Sequence, residues 1–139
     1  MFDVEVRNVQ GAVTAIGAAG PFTVVIDRPQ AVGGGGLGFN GGELLHLAVA
    51  GCISNDLFRE ADGRGIALTR VVVTADGQFG GEPAASMGIA YMVEVSGDAS
   101  VEVLRDLVRH VDEIAEIPNS LRRGTDVRLA GVTVDTSDH

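Results

Sequence analysis

Phe2, Val4 and Val6 alternate with Asp3, Glu5 and Arg7 at the start of the chain. A period of two puts the apolar side chains on one face, so this segment is predicted as a strand with one wet face. Two weaker strands are expected near Val13 to Ile16 and Phe22 to Asp27, with Gly20-Pro21 as the turn between them. The run Arg28-Pro29-Gln30-Ala31-Val32, followed by glycines 33–36 and Gly38, reads as a flexible loop. Asn40 is then a good N-cap, with Glu43 placed three residues on to reach back to it. From Leu44 to Ile53 only His46 is strongly polar, and a helix apolar on every face is one buried on all sides. Polarity returns at Ser54, Asn55, Asp56, Arg59 and Glu60, and Gly63 or Gly65 closes the segment.

Leu68 to Ala75 is rich in β-formers, and Met87, Ile89, Tyr91, Val93 and Val95 alternate cleanly. They predict a strand pair across a loose loop containing Gly80, Gly81 and Pro83. A second helix begins near Ser100, with Val101, Leu104, Val108, Val111 and Ala115 at helical spacing and Leu107 and Ile114 widening the stripe. Pro118 breaks it, a short turn carries Leu121, and Gly124 resets the chain. Val127 to Val134 is predicted as a last strand with a bulge at Ala130-Gly131. The reading is an α+β fold in one domain over residues 1–139: antiparallel strands around a central buried helix, with a second, amphipathic helix. A helix with no polar face needs more cover than 139 residues readily give. An intertwined homodimer would supply it.

Charge narrows the partners. The formal net charge is -9, and all ten basic residues are arginines without a stripe, Arg122 and Arg123 being the one adjacent pair. That balance argues against nucleic acid. The longest apolar stretch is too short to span a bilayer, and the first residues show no signal-peptide pattern, so a cytoplasmic protein with no membrane partner is expected. A lone cysteine forms no internal disulfide.

That cysteine, Cys52, is the candidate nucleophile. Its neighbours along the helix are Ala48 and Val49 one turn before and Asn55 and Asp56 one turn after. None is a cation, and Asp56 works against a negative sulfur. An activating arginine has to come from elsewhere in the fold or from a second subunit. The plain alternative is an inert buried thiol. His46 lies on another helix face and reads as a core or interface residue, His110 sits on the second helix, and His139 ends the chain. No ligand spacing joins them, so neither metal nor other cofactor is expected. Glycines 33–36 lack the lysine and register of a phosphate loop. Met87 and Met92 read as packing residues on opposite strand faces.

Gly38-Phe39-Asn40-Gly41-Gly42-Glu43-Leu44-Leu45, running on through Ala48-Val49-Ala50-Gly51-Cys52, resembles the OsmC/Ohr family of thiol-dependent peroxidases. The similarity continues through Leu57 and Gly65-Ile66 to Ile117-Pro118-Asn119-Ser120-Leu121, covering about residues 30 to 135. Asp27-Arg28-Pro29 and Gly33-Gly34 look most like a less-studied branch. In members that reduce hydroperoxides, the helix cysteine attacks the peroxide, an arginine stabilises its thiolate, a glutamate orients the arginine and a second cysteine resolves the sulfenic acid. Carried over, the resemblance implies Cys52 as the peroxidatic thiol. The glutamate position falls on Gly42, with Glu43 one place off and better suited to a cap. The resolving position falls on Ala115, and the arginine position on Ala18-Ala19-Gly20, leaving Arg28 or Arg7 as substitutes.

Two functions stay open at this point. One is a one-cysteine thiol peroxidase acting on small organic hydroperoxides with an external thiol reductant. The other is a catalytically degraded homodimer that holds a small lipophilic ligand in its interface pocket. A folded dimer with no small-molecule site is the bland third.

Overall fold

Antiparallel pairing organises the first part of the chain. In the computed structural model, which describes residues 1–136 and so leaves His139 outside the described residues, β1 (Glu5–Asn8), β2 (Ala15–Ala19) and β3 (Phe22–Ile26) form a three-stranded meander. Ala19 faces Phe22 across the turn, where Gly20 takes φ +57°. Pairing moves the first strand on to Glu5, past the alternating Phe2 and Val4, and moves the second on to Ala15.

The glycine-rich loop is tightly folded and not the flexible connection its composition suggests. A 3-10 turn, Gln30–Val32, opens it. Asp27, only 3% exposed, organises the loop from its base. Its Oδ1 accepts the backbone N–H of Arg28 (2.8 Å) and Gly35 (3.0 Å), while Oδ2 accepts the Thr14 hydroxyl (2.7 Å) and the Leu37 N–H (3.2 Å). Side chains at the glycines would destroy this fold-back: a Cβ on Gly34 would lie 2.0 Å from the Arg28 carbonyl oxygen, and one on Gly38 2.2 Å from that of Val25.

α1 spans Gly41–Gly63. Asn40 and Glu43 form the reciprocal capping box, Asn40 Oδ1 accepting from the Glu43 N–H at 2.8 Å and Glu43 Oε1 from the Asn40 N–H at 3.0 Å. β4 (Leu68–Gly80) and β5 (Ala85–Gly97) are each longer than their apolar runs, with register shifts between Leu68 and Arg70 and between Gly77 and Phe79. α2 spans Val101–Ile114, capped by Ser100, whose Oγ accepts the Val103 N–H. Ala115, with ψ 123°, breaks the helix, and α3 (Glu116–Arg122) begins at once. Pro118 therefore does not end α2. It lies in the first turn of α3, where a missing N–H costs nothing.

The core joins α1 to α2 over the β4-β5 hairpin. Ile53, Leu57 and Ala61 from α1 meet Leu107, Val111 and Ala115, with Val71, Val73, Tyr91 and Val93 closing from the hairpin. This is the α+β arrangement the patterning predicts. Three expectations fail within one chain. α1 is not buried on all sides: Leu47 and Phe58 are each 49% exposed, on the side opposite Val49 and Ile53. No strand forms over 127–134, where Val127, Leu129, Val132 and Val134 are exposed, because no strand edge is paired with them. Met87 and Met92 are likewise exposed, not packed. All three leave apolar surface that this chain does not cover.

Candidate functional site

Cys52 sits midway along α1, partly buried, and packs against the cluster formed by Ile53, Leu57 and the α2 residues. Helical spacing puts Asp56 one turn on, and the Cys52 Sγ donates weakly to its Oδ2 at 3.9 Å. The other oxygen of Asp56 pairs with Arg59 Nη1 at 3.1 Å. The sulfur thus has a carboxylate as its proton acceptor, and the positive charge of Arg59 is taken up one atom further away. Among the described residues, no guanidinium is hydrogen-bonded to Cys52.

The remaining sequence candidates are not gathered at the sulfur. Glu43 is committed to the capping box. Arg28 is exposed at the Asp27 loop, and its backbone, not its guanidinium, is engaged there. Arg7 is exposed on β1 and pairs with Glu5 at 3.1 Å. The position corresponding to the family's glutamate carries no side chain, and a Cβ on Gly42 would stand 3.0 Å from the exposed Phe79 ring. Ala115 is fully buried in the cluster that Cys52 packs on, so the spot for a resolving thiol holds a methyl group. His46 bonds the Gly42 carbonyl through Nδ1 at 2.6 Å, and its Nε2 is buried without a partner. His110 bonds Glu60 at 2.7 Å, tying α2 to α1 and holding the Glu60 carboxyl below its ordinary value. Among the described residues no group of three potential ligands could hold a metal.

Two polar constellations were missed in the sequence. Asp27 is the first; the Gly35 N–H chiefly, then the Thr14 hydroxyl, lower its pKa from 3.8 to about 2. An aspartate closing a strand just ahead of a glycine run was the available signal. The second joins three elements. The Tyr91 hydroxyl donates to Asp112 Oδ1, which also accepts from Arg122 Nη2 at 2.7 Å. Burial first, and then Asp112, push the tyrosine's pKa up, while the Tyr91 hydroxyl first and then Arg122 hold Asp112 down. Nothing local in the sequence links positions 91, 112 and 122.

Residues 33–130 match the family model of OsmC-like proteins. No protein of curated function matches the chain. Among solved structures, an OsmC-like protein from Mycoplasma pneumoniae superposes with TM-score 0.76 at 16% identity, covering 90% of this chain and 89% of that one. An organic hydroperoxide resistance protein, OsmC, from Legionella pneumophila gives 0.64 at 17%, covering 88% and 89%. The organic hydroperoxide resistance protein OhrB of Bacillus subtilis gives 0.63 at 19%, covering 89% and 92%. At these identities the likeness is one of fold.

Proposed function

The chain belongs to the OsmC-like protein family, and from that premise we propose that it is a cytoplasmic, homodimeric one-cysteine thiol peroxidase acting on small organic hydroperoxides. The observation that carries the reading is the place of Cys52, on the long helix of the family's fold and at the edge of its core. The Cys52 thiolate attacks the terminal peroxide oxygen, the O–O bond breaks, and the alcohol leaves with the proton. The sulfur is oxidised to a sulfenic acid. An external thiol then condenses with that acid, releasing water and forming a mixed disulfide, and a second thiol restores Cys52. Turnover is slow, because the sulfur faces Asp56 and no cation among the described residues is hydrogen-bonded to it.

Cumene hydroperoxide treatment followed by mass spectrometry tests this. Excess peroxide should convert Cys52 to a sulfenic acid that over-oxidises unless a thiol is added, with no disulfide within the chain. An unmodified Cys52 rules the enzyme out.

A hollow of about 360 Å³ favours the second reading, a catalytically degraded relative that binds a lipophilic ligand. Val6, Phe22 and Val24 of the meander line it with Val4, just before β1, and Leu44 of α1. Fast oxidation with many turnovers on a dithiol would exclude this alternative.

The homodimer rests on uncovered apolar surface: Leu47 and Phe58 on α1, the meander face bearing Val6 and Phe22, and the alternating residues 127–134. Patches of this kind mark interfaces. Sedimentation equilibrium at micromolar concentration should give a dimer, and a stable monomer would end the proposal.

A further inference from the structure

α3 begins directly after Ala115 and runs along α1, which brings Arg122 beside β5. The guanidinium is held firmly. Nη1 donates to the Asp112 carbonyl and to Asn119 Oδ1, each at 2.9 Å, and Nη2 donates to Asp112 Oδ1 at 2.7 Å. Arginine has five N–H donors. These bonds use three of the five, and the Tyr91 hydroxyl oxygen is a further hydrogen-bond partner of the guanidinium, so that one N–H is left over. The Tyr91 hydroxyl gives its own proton to the same carboxylate.

The guanidinium and the tyrosine line a cavity of about 400 Å³ between α1, β5 and α3. Its other walls are apolar, with Leu45, Val49, Ile89 and Leu121 prominent. Leu45 and Val49 lie on the side of α1 opposite exposed Leu47 and Phe58. Small-ligand sites combine such walls with few, fixed polar groups in a space of about this size. An arginine already immobilised loses little further freedom when it binds. Its remaining N–H can donate a charge-assisted hydrogen bond to a carboxylate oxygen. A phosphate dianion fits poorly, since Arg122 is the one cation in the lining and Asp112 already offsets part of its charge.

We propose that this cavity binds a small monocarboxylate with a short apolar body. The carboxylate accepts from the remaining N–H of Arg122, and the body lies between Leu45, Val49, Ile89 and Leu121. Titration with octanoate, followed by calorimetry and by the Arg122 Nε–H resonance, tests it. Octanoate should bind and shift that resonance. 1-Octanol, which keeps the body and loses the charge, should bind at least tenfold more weakly, and Arg122→Gln should weaken octanoate at least tenfold. Because Arg122→Gln also removes a tie to Asp112, a second variant guards against misfolding. Ser86→Phe fills the cavity from β5 without touching the polar network, and it should abolish octanoate binding while leaving the melting temperature unchanged. Octanol binding as tightly as octanoate, displacement of octanoate by inorganic phosphate, or no octanoate binding at all would each overturn the proposal.

Discussion

Leu57→Ala should lower the unfolding free energy by about 3 kcal/mol, within the range for truncating a fully buried leucine. Leu57 has no exposed surface and sits in the cluster where α1 meets Leu107 and Val111. Truncation removes apolar area from the core and leaves a cavity between helices that the hairpin holds apart, so collapse recovers little of the loss. Domains of this size are stable by only about 5–15 kcal/mol, so the change is a large fraction of the total. Urea denaturation measures it. A loss under about 1 kcal/mol, far below that range, would show that the α1-α2 contact is not the core of the domain.

Gly34→Ala should cost about 3 kcal/mol, at the upper end for overpacking, because the atoms it meets are backbone. The new Cβ would stand 2.0 Å from the Arg28 carbonyl oxygen and 2.4 Å from its carbon. Neither can rotate away, so the loop must open and release the Gly35 and Leu37 N–H groups from Asp27. Gly41→Ala, at the first turn of α1 with nothing within 4 Å, is the control and should be neutral or slightly stabilising. Acid should loosen the same loop. The folded-state pKa of Asp27 lies at about 2, below the 3.8 it has when free, so its contribution is full above 3.8 and falls away as pH drops toward 2. Urea titrations of the protein and of Gly34→Ala at pH 5 and pH 2 should therefore differ less at the lower pH. An unchanged difference would remove Asp27 from the account.

The elements that could be read from the chain are those whose partners lie within a few residues. Asn40 and Glu43 announce the start of α1 because both halves of the capping box are local. The alternation from Ile89 to Val95 marks β5, and the stripe through Leu104 and Val111 marks α2, because burial on one face imposes its period on the sequence. Cys52 stood out as the chain's one thiol in an apolar helix. The failures have the opposite character. Residues 127–134 carry a strand pattern, yet a strand exists only where another edge accepts its hydrogen bonds, and none among the described residues of one chain does. The all-apolar surface of α1 is half explained by the core and leaves Leu47 and Phe58 for something else to cover.

Sequence by itself determined the α+β class, the order of the helices, the position of the thiol and the absence of a local cation beside it. Those come from periodicity, capping and nearest neighbours, which short-range sterics and burial enforce. Tertiary structure alone decided that residues 33–38 wrap an aspartate, that Phe79 lies against Gly42, and that Tyr91 and Arg122 share the Asp112 carboxylate. Each joins residues from separate elements. Their proximity comes from how the helices dock on the hairpin and how β2 and β3 meet the loop, and no local pattern of apolar and polar residues encodes it.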